Sequence, residues 1–251
     1  MDIKEIVFPE VNFSDEGDIR HLHLDSIWIQ GSMRMDDPLA LVHEYIQRMM
    51  VWLLFVDPAS VPKRQALQLG LGAASLTKFC HKTLKMKTAA IELNPQVIAA
   101  CRGWFKLPQD NGRLQVVLGD AFEEIQQARW HECVDALQVD LYDQEAAGPV
   151  FDSAEFYAHC RSTLTPEGCM TANLFGRSSS FQRSITNMEK AFGKDALWAF
   201  KATREGNTVV LAQRTPSRPK RAALLERADV IRRQWNLPAD KWVRGFKPVY
   251  L

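Results

Sequence analysis

Apolar and polar positions along the chain follow two patterns that predict a repeating order of strands and helices. From residue 63 onward, short apolar runs are each followed by a stretch with helical spacing. The predicted strand and helix pairs are 65–69 with 75–84, 88–92 with 95–105, 114–119 with 121–129, 134–139 with 153–164, and 169–175 with 181–192. Five such pairs predict an α/β fold with a parallel sheet covered by helices on both faces.

The pattern changes after residue 192. Two β-rich runs, 196–202 and 207–212, are separated by only a few residues, and such a short connection predicts an antiparallel hairpin. Seven strands are therefore expected in the sheet, which is mostly parallel and ends in a hairpin. A nicotinamide dehydrogenase fold would have continued with another strand and helix pair.

The two ends of the chain have patterns of their own. Residues 1–37 show strand-like runs at 19–24 and 26–30 without helical periodicity, which predicts a small β-hairpin module. An apolar helix is expected from Asp37-Pro38 to Val56, because proline and aspartate favour a helix start. The main domain is expected over 38–214, followed by a helical tail over 215–251 with its helix at 222–234.

Composition and charge narrow the classes of protein. The 251 residues are 46% hydrophobic, enough for one large domain with an ample core. Lys and Arg total 31 against 30 Asp and Glu, so we expect neither a nucleic-acid nor a membrane partner. The five cysteines form no CxxC pair, and no signal peptide or long apolar span is present. A cytoplasmic protein without a structural metal is expected.

Candidate chemistry begins at the end of the first parallel strand. Gly70 and Gly72 allow a tight turn and close approach of a ligand to the backbone, and a helix start follows them. The next strand ends at Glu92, twenty residues after Gly72, where a carboxylate can accept hydrogen bonds from both hydroxyls of a ribose. The alternative for Glu92 is that it only caps the next helix.

Acidic residues also end the third and fourth strands. Asp120 can accept from an adenine amino group while the backbone N–H of Ala121 meets a ring nitrogen, although Asp120 also suits a helix N-cap. Asp140 and Asp143 are three residues apart, and two carboxylates there can hold a cationic amine or take its proton. For this pair, the alternative is one capping residue and one solvated side chain.

Residues from about 24 to 211 resemble spermidine synthase and its relatives. The family's LDGxxQ strand, helix motif, glycine loop, ribose acid, GD pair and D-x-x-D pair are matched by Leu24, Asp25, Gln30, His43, Glu44, Gly70, Gly72, Glu92, Gly119, Asp120, Asp140 and Asp143. The resemblance implies a class I S-adenosylmethionine (AdoMet) methyltransferase fold, which is Rossmann-like, and a homodimer. It also implies aminopropyl transfer from decarboxylated AdoMet to a small amine.

In that family the first aspartate of the pair deprotonates the amine, which assigns this role to Asp140, and Asp143 helps to bind the polyamine. By the same resemblance, Gln30 and His43 touch the aminopropyl and nucleoside parts of the co-substrate. The chain departs from the family at Ala73, where the family has an aspartate that holds an ammonium group.

Other functions stay open at this point. A methyltransferase that uses intact AdoMet on a small molecule is one, because Ala73 leaves the loop without its acidic group. A non-catalytic nucleoside-binding protein with the same fold is another. A nucleic-acid methyltransferase is the least favoured, since the chain has neither a net basic charge nor an aromatic and basic stripe.

Overall fold

The N-terminal part of the chain forms a small antiparallel sheet. A computed structural model describes residues 8–142, 150–175 and 178–249. The small sheet contains β1 (Val11–Glu16), β2 (Ile19–Leu24) and β3 (Ile29–Arg34). The small N-terminal β module expected from the sequence is confirmed. Strand β1 was not expected, and the strand expected at 26–30 begins at Ile29. Strand β1 is mostly exposed and so carries no alternating apolar signal.

Within the described ranges, the larger sheet contains eight strands. In chain order they are β4 (Gln65–Leu69), β5 (Lys87–Glu92), β6 (Leu114–Leu118), β7 (Val134–Val139), β8 (Leu164–Phe175), β9 (Leu197–Ala199), β10 (Asn207–Gln213) and β11 (Lys247–Pro248). Strands β4 to β8 are parallel, and β9, β10 and β11 add antiparallel pairs at one edge. The seven strands and the terminal hairpin expected from the sequence are confirmed, and β11 is an eighth strand of two residues.

Helices connect these strands. They are α1 (Glu44–Arg48), α2 (Ser75–Lys78), α3 (Pro95–Trp104), α4 (Ala121–Glu124), α5 (Ala154–Thr163), α6 (Ser178–Phe192), α7 (Arg221–Trp235) and α8 (Ala239–Gly245). Within the described part of the chain, none is both long enough and apolar enough to cross a bilayer.

The strand order places a crevice between β4 and β7. Along the sheet the order is β11, β9, β10, β8, β7, β4, β5, β6, so the chain runs one way from β4 to β6 and then returns to the other side of β4. Ligands of open α/β sheets bind beyond the carboxyl ends of the strands at such a reversal. Gly70 follows β4 there, and Asp140 follows β7.

Both faces of the large sheet are covered. Neighbouring residues of a strand point to opposite faces, so Ala66 packs with one apolar cluster and Leu67 with another. The first cluster includes the 41–56 segment and the C-terminal helices, and the second includes α5 and α6. A third cluster joins the small sheet to α3.

The helix expected over 37–56 was wrong. Only Glu44–Arg48 is α-helical, and a 3₁₀ turn follows at Val51–Phe55. Residues 49–54 are all buried. A segment with no polar face carries no helical periodicity, so its conformation follows from the core that surrounds it.

The C-terminal tail folds back onto the large sheet. Helix α7 spans the expected 222–234, while α8 and β11 were not expected. Strand β11 pairs with β9, and Phe246 stacks on Trp198 with 5.6 Å between the ring centroids. The tail therefore contributes to the core rather than extending from it.

Candidate active site

A cavity of about 1010 Å³ lies at the carboxyl ends of the parallel strands. Its floor is formed by the residues that follow β4, β5, β6 and β7, and its wall by β3 and the segment around α1. All described site residues expected from the sequence line it, namely Gln30, His43, Gly70, Gly72, Glu92, Asp120, Ala121 and Asp140. Asp143 lies outside the described residues, so its role stays a prediction.

The two glycines of the loop are required by contacts with the protein itself. Gly70 has a φ of 90° and Gly72 a φ of 50°, both in the left-handed region. A Cβ at Gly70 would collide with the carbonyl oxygen of Asp140, and one at Gly72 would lie 2.8 Å from the carbonyl oxygen of Gln30. The loop is therefore pressed between the end of β7 and strand β3.

Strand β3 closes over the same loop. A Cβ at Gly31 would lie 2.6 Å from the backbone nitrogen of Ala73, and Ala73 is 2% exposed. The Ser75 hydroxyl donates to the carbonyl oxygen of Ser32 at 2.9 Å. The small residues Gly31 and Ala73 therefore let the N-terminal sheet form one wall of the cavity.

Glu92 connects the glycine loop to the start of α3. Its Oε2 accepts from the backbone N–H of Leu71 at 3.0 Å, and its Oε1 accepts from that of Asn94 at 2.9 Å. Burial raises the pKa of Glu92, and the backbone donors oppose the rise. Asn94 caps α3 with its own side chain. Glu92 is thus held with its carboxylate at the cavity and does not cap the helix.

Asp120 has the helix-capping role that its sequence position allowed. Its Oδ1 accepts from the backbone N–H groups of Phe122 and Glu123, at 2.8 and 3.0 Å. Asp120 and Ala121 nevertheless line the cavity, because α4 starts there. The cap fixes the carboxylate and the first helical N–H groups at the cavity edge.

Asp140 stands at the centre of a polar network. Its Oδ1 accepts from Nδ2 of Asn173 at 2.9 Å, and the Tyr45 hydroxyl lies beside the same carboxylate. Burial raises the pKa of Asp140 to about 6, and interactions with Asn173 and Tyr45 limit the rise. A carboxylate with this pKa is ionised at neutral pH and is basic enough to take up a proton.

Four residues of this network, Tyr45, Tyr142, Asn173 and Asn207, were missed at the sequence level. The Tyr142 hydroxyl donates to the carbonyl oxygen of Asn173 at 2.8 Å and accepts from the N–H of Phe175 at 2.6 Å, tying the ends of β7 and β8 together. Asn207 Nδ2 donates to Oδ1 of Asn173 at 3.2 Å. The available signal was Asn173, a polar residue in the apolar run of β8. Tyr45 offered none beyond its place beside His43 and Glu44.

His43 and Gln30 belong to the cavity wall formed by β3 and the segment around α1. Nε2 of His43 is 2.6 Å from the hydroxyl of Ser32. Burial lowers the pKa of His43, His21 lowers it further, and Glu205 opposes the change. The imidazole of His43 is therefore neutral at physiological pH.

The charges around the cavity are negative. Among the described residues that line it, the acidic side chains are Glu44, Glu92, Asp120, Asp140 and Glu205, and there is no Lys or Arg. Glu44 is paired with Arg48 at 2.6 Å, which leaves four acidic side chains without a basic partner in the described lining. Such a cavity attracts cations and offers no partner for an anionic group.

Comparisons with known proteins agree with this geometry. The chain is 33% identical over 242 residues to a polyamine aminopropyltransferase from Neisseria meningitidis serogroup A, covering 96% of this chain and 90% of the relative. A probable spermidine synthase from Corynebacterium glutamicum superposes with a TM-score of 0.75 at 19% identity, over 93% of this chain and 88% of that one.

A methyltransferase has a similar fold. Human methyltransferase-like protein 13, solved in complex with SAH, superposes with a TM-score of 0.67 at 23% identity, over 84% of this chain and 96% of that one. At such identities the two structures show a shared fold only.

No protein-family model matches the chain. The relationship over nearly the full length of both sequences therefore decides the family, and this chain belongs to the polyamine aminopropyltransferases, a family of transferases.

Proposed function

We propose that this protein transfers an aminopropyl group from decarboxylated AdoMet to a small amine, with Asp140 as the base. The supporting observation is the charge of the cavity. Decarboxylated AdoMet carries a sulfonium and an ammonium group, whereas intact AdoMet adds a carboxylate. The described lining has carboxylates and no Lys or Arg, so it suits the first donor and leaves the carboxylate of the second unpaired.

The reaction is a displacement at carbon. The lone pair of the acceptor nitrogen forms a bond to the methylene carbon next to the sulfonium. The bond from that carbon to sulfur breaks, and methylthioadenosine leaves with the electron pair. Because the sulfonium is already an activated leaving group, the protein has to align the nitrogen, deprotonate it and exclude competing water.

Asp140 meets the requirements for the base. An acceptor amine is protonated at pH 7, so its proton must be removed before the nitrogen can attack. Asn173 and Tyr45 orient the Asp140 carboxylate, and its raised pKa of about 6 strengthens it as a proton acceptor. We propose that Asp143 holds the cationic acceptor beside it, as the family resemblance implies.

The remaining site residues would bind the nucleoside. Glu92 is proposed to accept from the ribose hydroxyls, since its carboxylate is fixed by two backbone donors at the cavity edge. Asp120 and the N–H of Ala121 are proposed to meet the adenine. Gln30 and His43, which also line the cavity, are proposed to contact the aminopropyl chain and the nucleoside.

The test is a matched pair of donor reactions. The purified protein is incubated with decarboxylated AdoMet or AdoMet and with putrescine, cadaverine or spermidine, and the products are measured by mass spectrometry. We expect methylthioadenosine and an acceptor heavier by one aminopropyl group with the first donor only. Methylated amine formed from AdoMet would instead support the methyltransferase alternative.

The non-catalytic alternative predicts a different result. A protein that only binds the nucleoside would bind methylthioadenosine in calorimetry and release no product from either donor. The described cavity lining includes the Asp140 carboxylate, which is hydrogen-bonded to Asn173 and has a raised pKa, and nucleoside binding alone does not require such a group. For this reason we propose that the protein catalyses transfer and does not only bind the nucleoside.

The compartment, the oligomeric state and the pathway of the enzyme are also proposed. We propose a cytoplasmic homodimer that acts in polyamine biosynthesis. All five cysteines are free, as expected in a reducing compartment.

A further inference from the structure

A serine hydroxyl lies between two imidazole rings beside the cavity. Ser32 Oγ is 2.7 Å from Nδ1 of His21 and 2.6 Å from Nε2 of His43. Ser32 is 2% exposed and His21 8%, whereas the ring of His43 lines the cavity. The proposed reaction gives His21 and the Ser32 side chain no role, although they form a buried polar chain that reaches the ligand site.

The number of available protons limits the hydrogen-bond arrangements that His21, Ser32 and His43 can adopt. A serine hydroxyl has one proton to donate and can accept two hydrogen bonds. With both rings neutral, Ser32 donates to one histidine and must accept an N–H from the other. Either His43 carries its proton on Nε2 and donates to Ser32, or it carries the proton on Nδ1 and accepts from Ser32.

The exposed carboxylate of Glu16 favours one of these two arrangements. Nε2 of His21 is buried and has no hydrogen-bond partner among the described residues, and Oε2 of Glu16 lies 3.7 Å away. An N–H at Nε2 is attracted to this carboxylate, whereas a lone pair would face another negative group. Neutral His21 therefore carries its proton on Nε2, and its Nδ1 accepts the proton of Ser32. The hydroxyl oxygen of Ser32 then accepts from Nε2–H of His43.

The electrostatics of the cavity favour the same arrangement. Within the described chain Nδ1 of His43 makes no hydrogen bond, and the ring lines a cavity that is suited to cations. A lone pair on Nδ1 can accept an N–H from a bound ammonium group, whereas an N–H there would oppose it. The charged and titratable groups that act on the ring are His21 and Glu205, and the Tyr45 ring stacks on it at 6.0 Å.

We propose that His21 and Ser32 are positioning residues that hold His43 in the tautomer with its proton on Nε2, so that Nδ1 presents a lone pair to the cationic ligand. The identity of that ligand rests on the proposed function. The tautomer itself does not, because Glu16, His21 and Ser32 set it in the free protein.

The tautomer can be measured without any substrate. Two-dimensional ¹H–¹⁵N spectra of the imidazoles at pH 8, where histidine is neutral, distinguish a protonated from an unprotonated ring nitrogen. The His43 signals are assigned with His43→Gln. We expect a protonated Nε2 and a bare Nδ1 in the wild type, a mixture of tautomers in Ser32→Ala, and the wild-type pattern in Ser32→Thr, which retains the hydroxyl.

A matched control breaks a similar pair elsewhere in the same sheet. The Ser14 hydroxyl is 2.8 Å from Nε2 of His23, so Ser14→Ala should leave the His43 signals unchanged. A wild-type His43 with its proton on Nδ1 would overturn the proposal. So would a Ser32→Ala spectrum in which the His43 tautomer is unchanged.

Ligand binding tests the consequence. Ser32→Ala should weaken binding of decarboxylated AdoMet about fivefold, with recovery in Ser32→Thr, because a hydrogen bond to a charged group is partly lost. Methylthioadenosine has no ammonium group, so its dissociation constant should stay within about twofold. Equal losses of affinity for both ligands would overturn the proposed role of Ser32 in binding the cationic ligand. If the wild type binds no decarboxylated AdoMet, the proposed function fails, and the spectra of the free protein still decide the tautomer.

Discussion

Asp140 is the residue on which the catalytic proposal depends. Asp140→Asn preserves the size of the side chain and a carbonyl oxygen for Asn173, but it cannot take up a proton. We expect turnover to fall about a hundredfold or more, in the range for loss of a general base. Methylthioadenosine binding should change little, because Glu92 and Asp120 are unaffected. The measurement is steady-state release of methylthioadenosine with an acceptor found in the amine screen.

The pH dependence of the wild type provides the control. Ionised Asp140 is the active form, so kcat/KM should be at its plateau above pH 7 and fall as the pH drops through about 6. Turnover of Asp140→Asn at the wild-type rate would show that the carboxylate is structural.

The same substitution should stabilise the fold. The folded-state pKa of Asp140 is raised from 3.8 to about 6, so its charged form is unfavourable in the folded protein. The stability that neutral Asp140 gives the folded protein is therefore lost as the pH rises through about 6. It is fully present below 3.8, where the carboxyl is neutral in both states. Asp140→Asn should increase the free energy of unfolding by up to about 3 kcal/mol at pH 7.

This gain should depend on pH. Urea denaturation at pH 7 and at pH 4 measures it, and the difference between variant and wild type should be much smaller at pH 4. An equal gain at both values would mean that desolvation of the Asp140 charge is not its cause.

A second prediction at the residue scale concerns Glu92 and nucleoside binding. Glu92→Gln should weaken methylthioadenosine binding at least tenfold, since a charged acceptor that serves two hydroxyls is stronger than a neutral amide by about 1.4 kcal/mol or more. Calorimetric titration measures this change, and circular dichroism checks the fold. Glu226→Gln, an exposed position on α7, removes the same charge away from the cavity. An unchanged dissociation constant in Glu92→Gln would exclude this strand end as the ribose site.

At the scale of elements, the contact between β3 and the glycine loop positions the cavity wall. Gly31→Ala would place a Cβ 2.6 Å from the backbone nitrogen of Ala73, so either the strand or the loop must shift. We expect a loss of about 1–3 kcal/mol in the free energy of unfolding, the usual cost of overpacking. Nucleoside binding should weaken in the same variant, because the loop carries Gly70 and Gly72.

Gly103 provides the matched glycine. It lies within α3, and a Cβ there has no neighbour within 4 Å. Gly103→Ala should therefore be neutral or stabilise the protein by up to about 1 kcal/mol, as expected for alanine in a helix. If both variants show the same thermal denaturation midpoint, the close contact at Gly31 is not energetically important.

At the scale of the whole molecule, the N-terminal sheet is the proposed dimer contact. Among the residues that the structure describes, five of the ten exposed large hydrophobic side chains lie within residues 11–35. Ile27, Trp28 and Ile29 also line the cavity, whereas Phe13 and Met35 do not. Exposed apolar groups concentrated in one module are typical of an interaction surface. We expect sedimentation equilibrium to give twice the mass of the 28.6 kDa chain.

A charge on this surface should weaken the dimer. Phe13→Glu is expected to increase the dissociation constant of the dimer at least tenfold, because the glutamate would be desolvated at the interface. Leu225→Glu, at an exposed position of α7, is the control and should not change the dissociation constant. A wild-type protein that sediments as a monomer over the micromolar range would contradict the proposed dimer.

The sequence by itself determined the five parallel strands β4 to β8, the hairpin of β9 and β10, and the residues at the strand ends, but not β1 or β11. Gly70, Glu92 and Asp140 could be assigned to one edge of the sheet, because the carboxyl ends of parallel strands meet there. The 3₁₀ segment Val51–Phe55 could not be assigned, since a fully buried run has no periodicity.

Only the tertiary structure decided which side chains act together. Asn173 meets Asp140 across 33 positions of sequence, and Ser32 lies between His21 and His43. The absence of Lys and Arg from the described cavity lining is likewise invisible in a chain with a nearly balanced total charge. These contacts join elements that are distant in sequence, and local propensity and periodicity contain no information about such pairings.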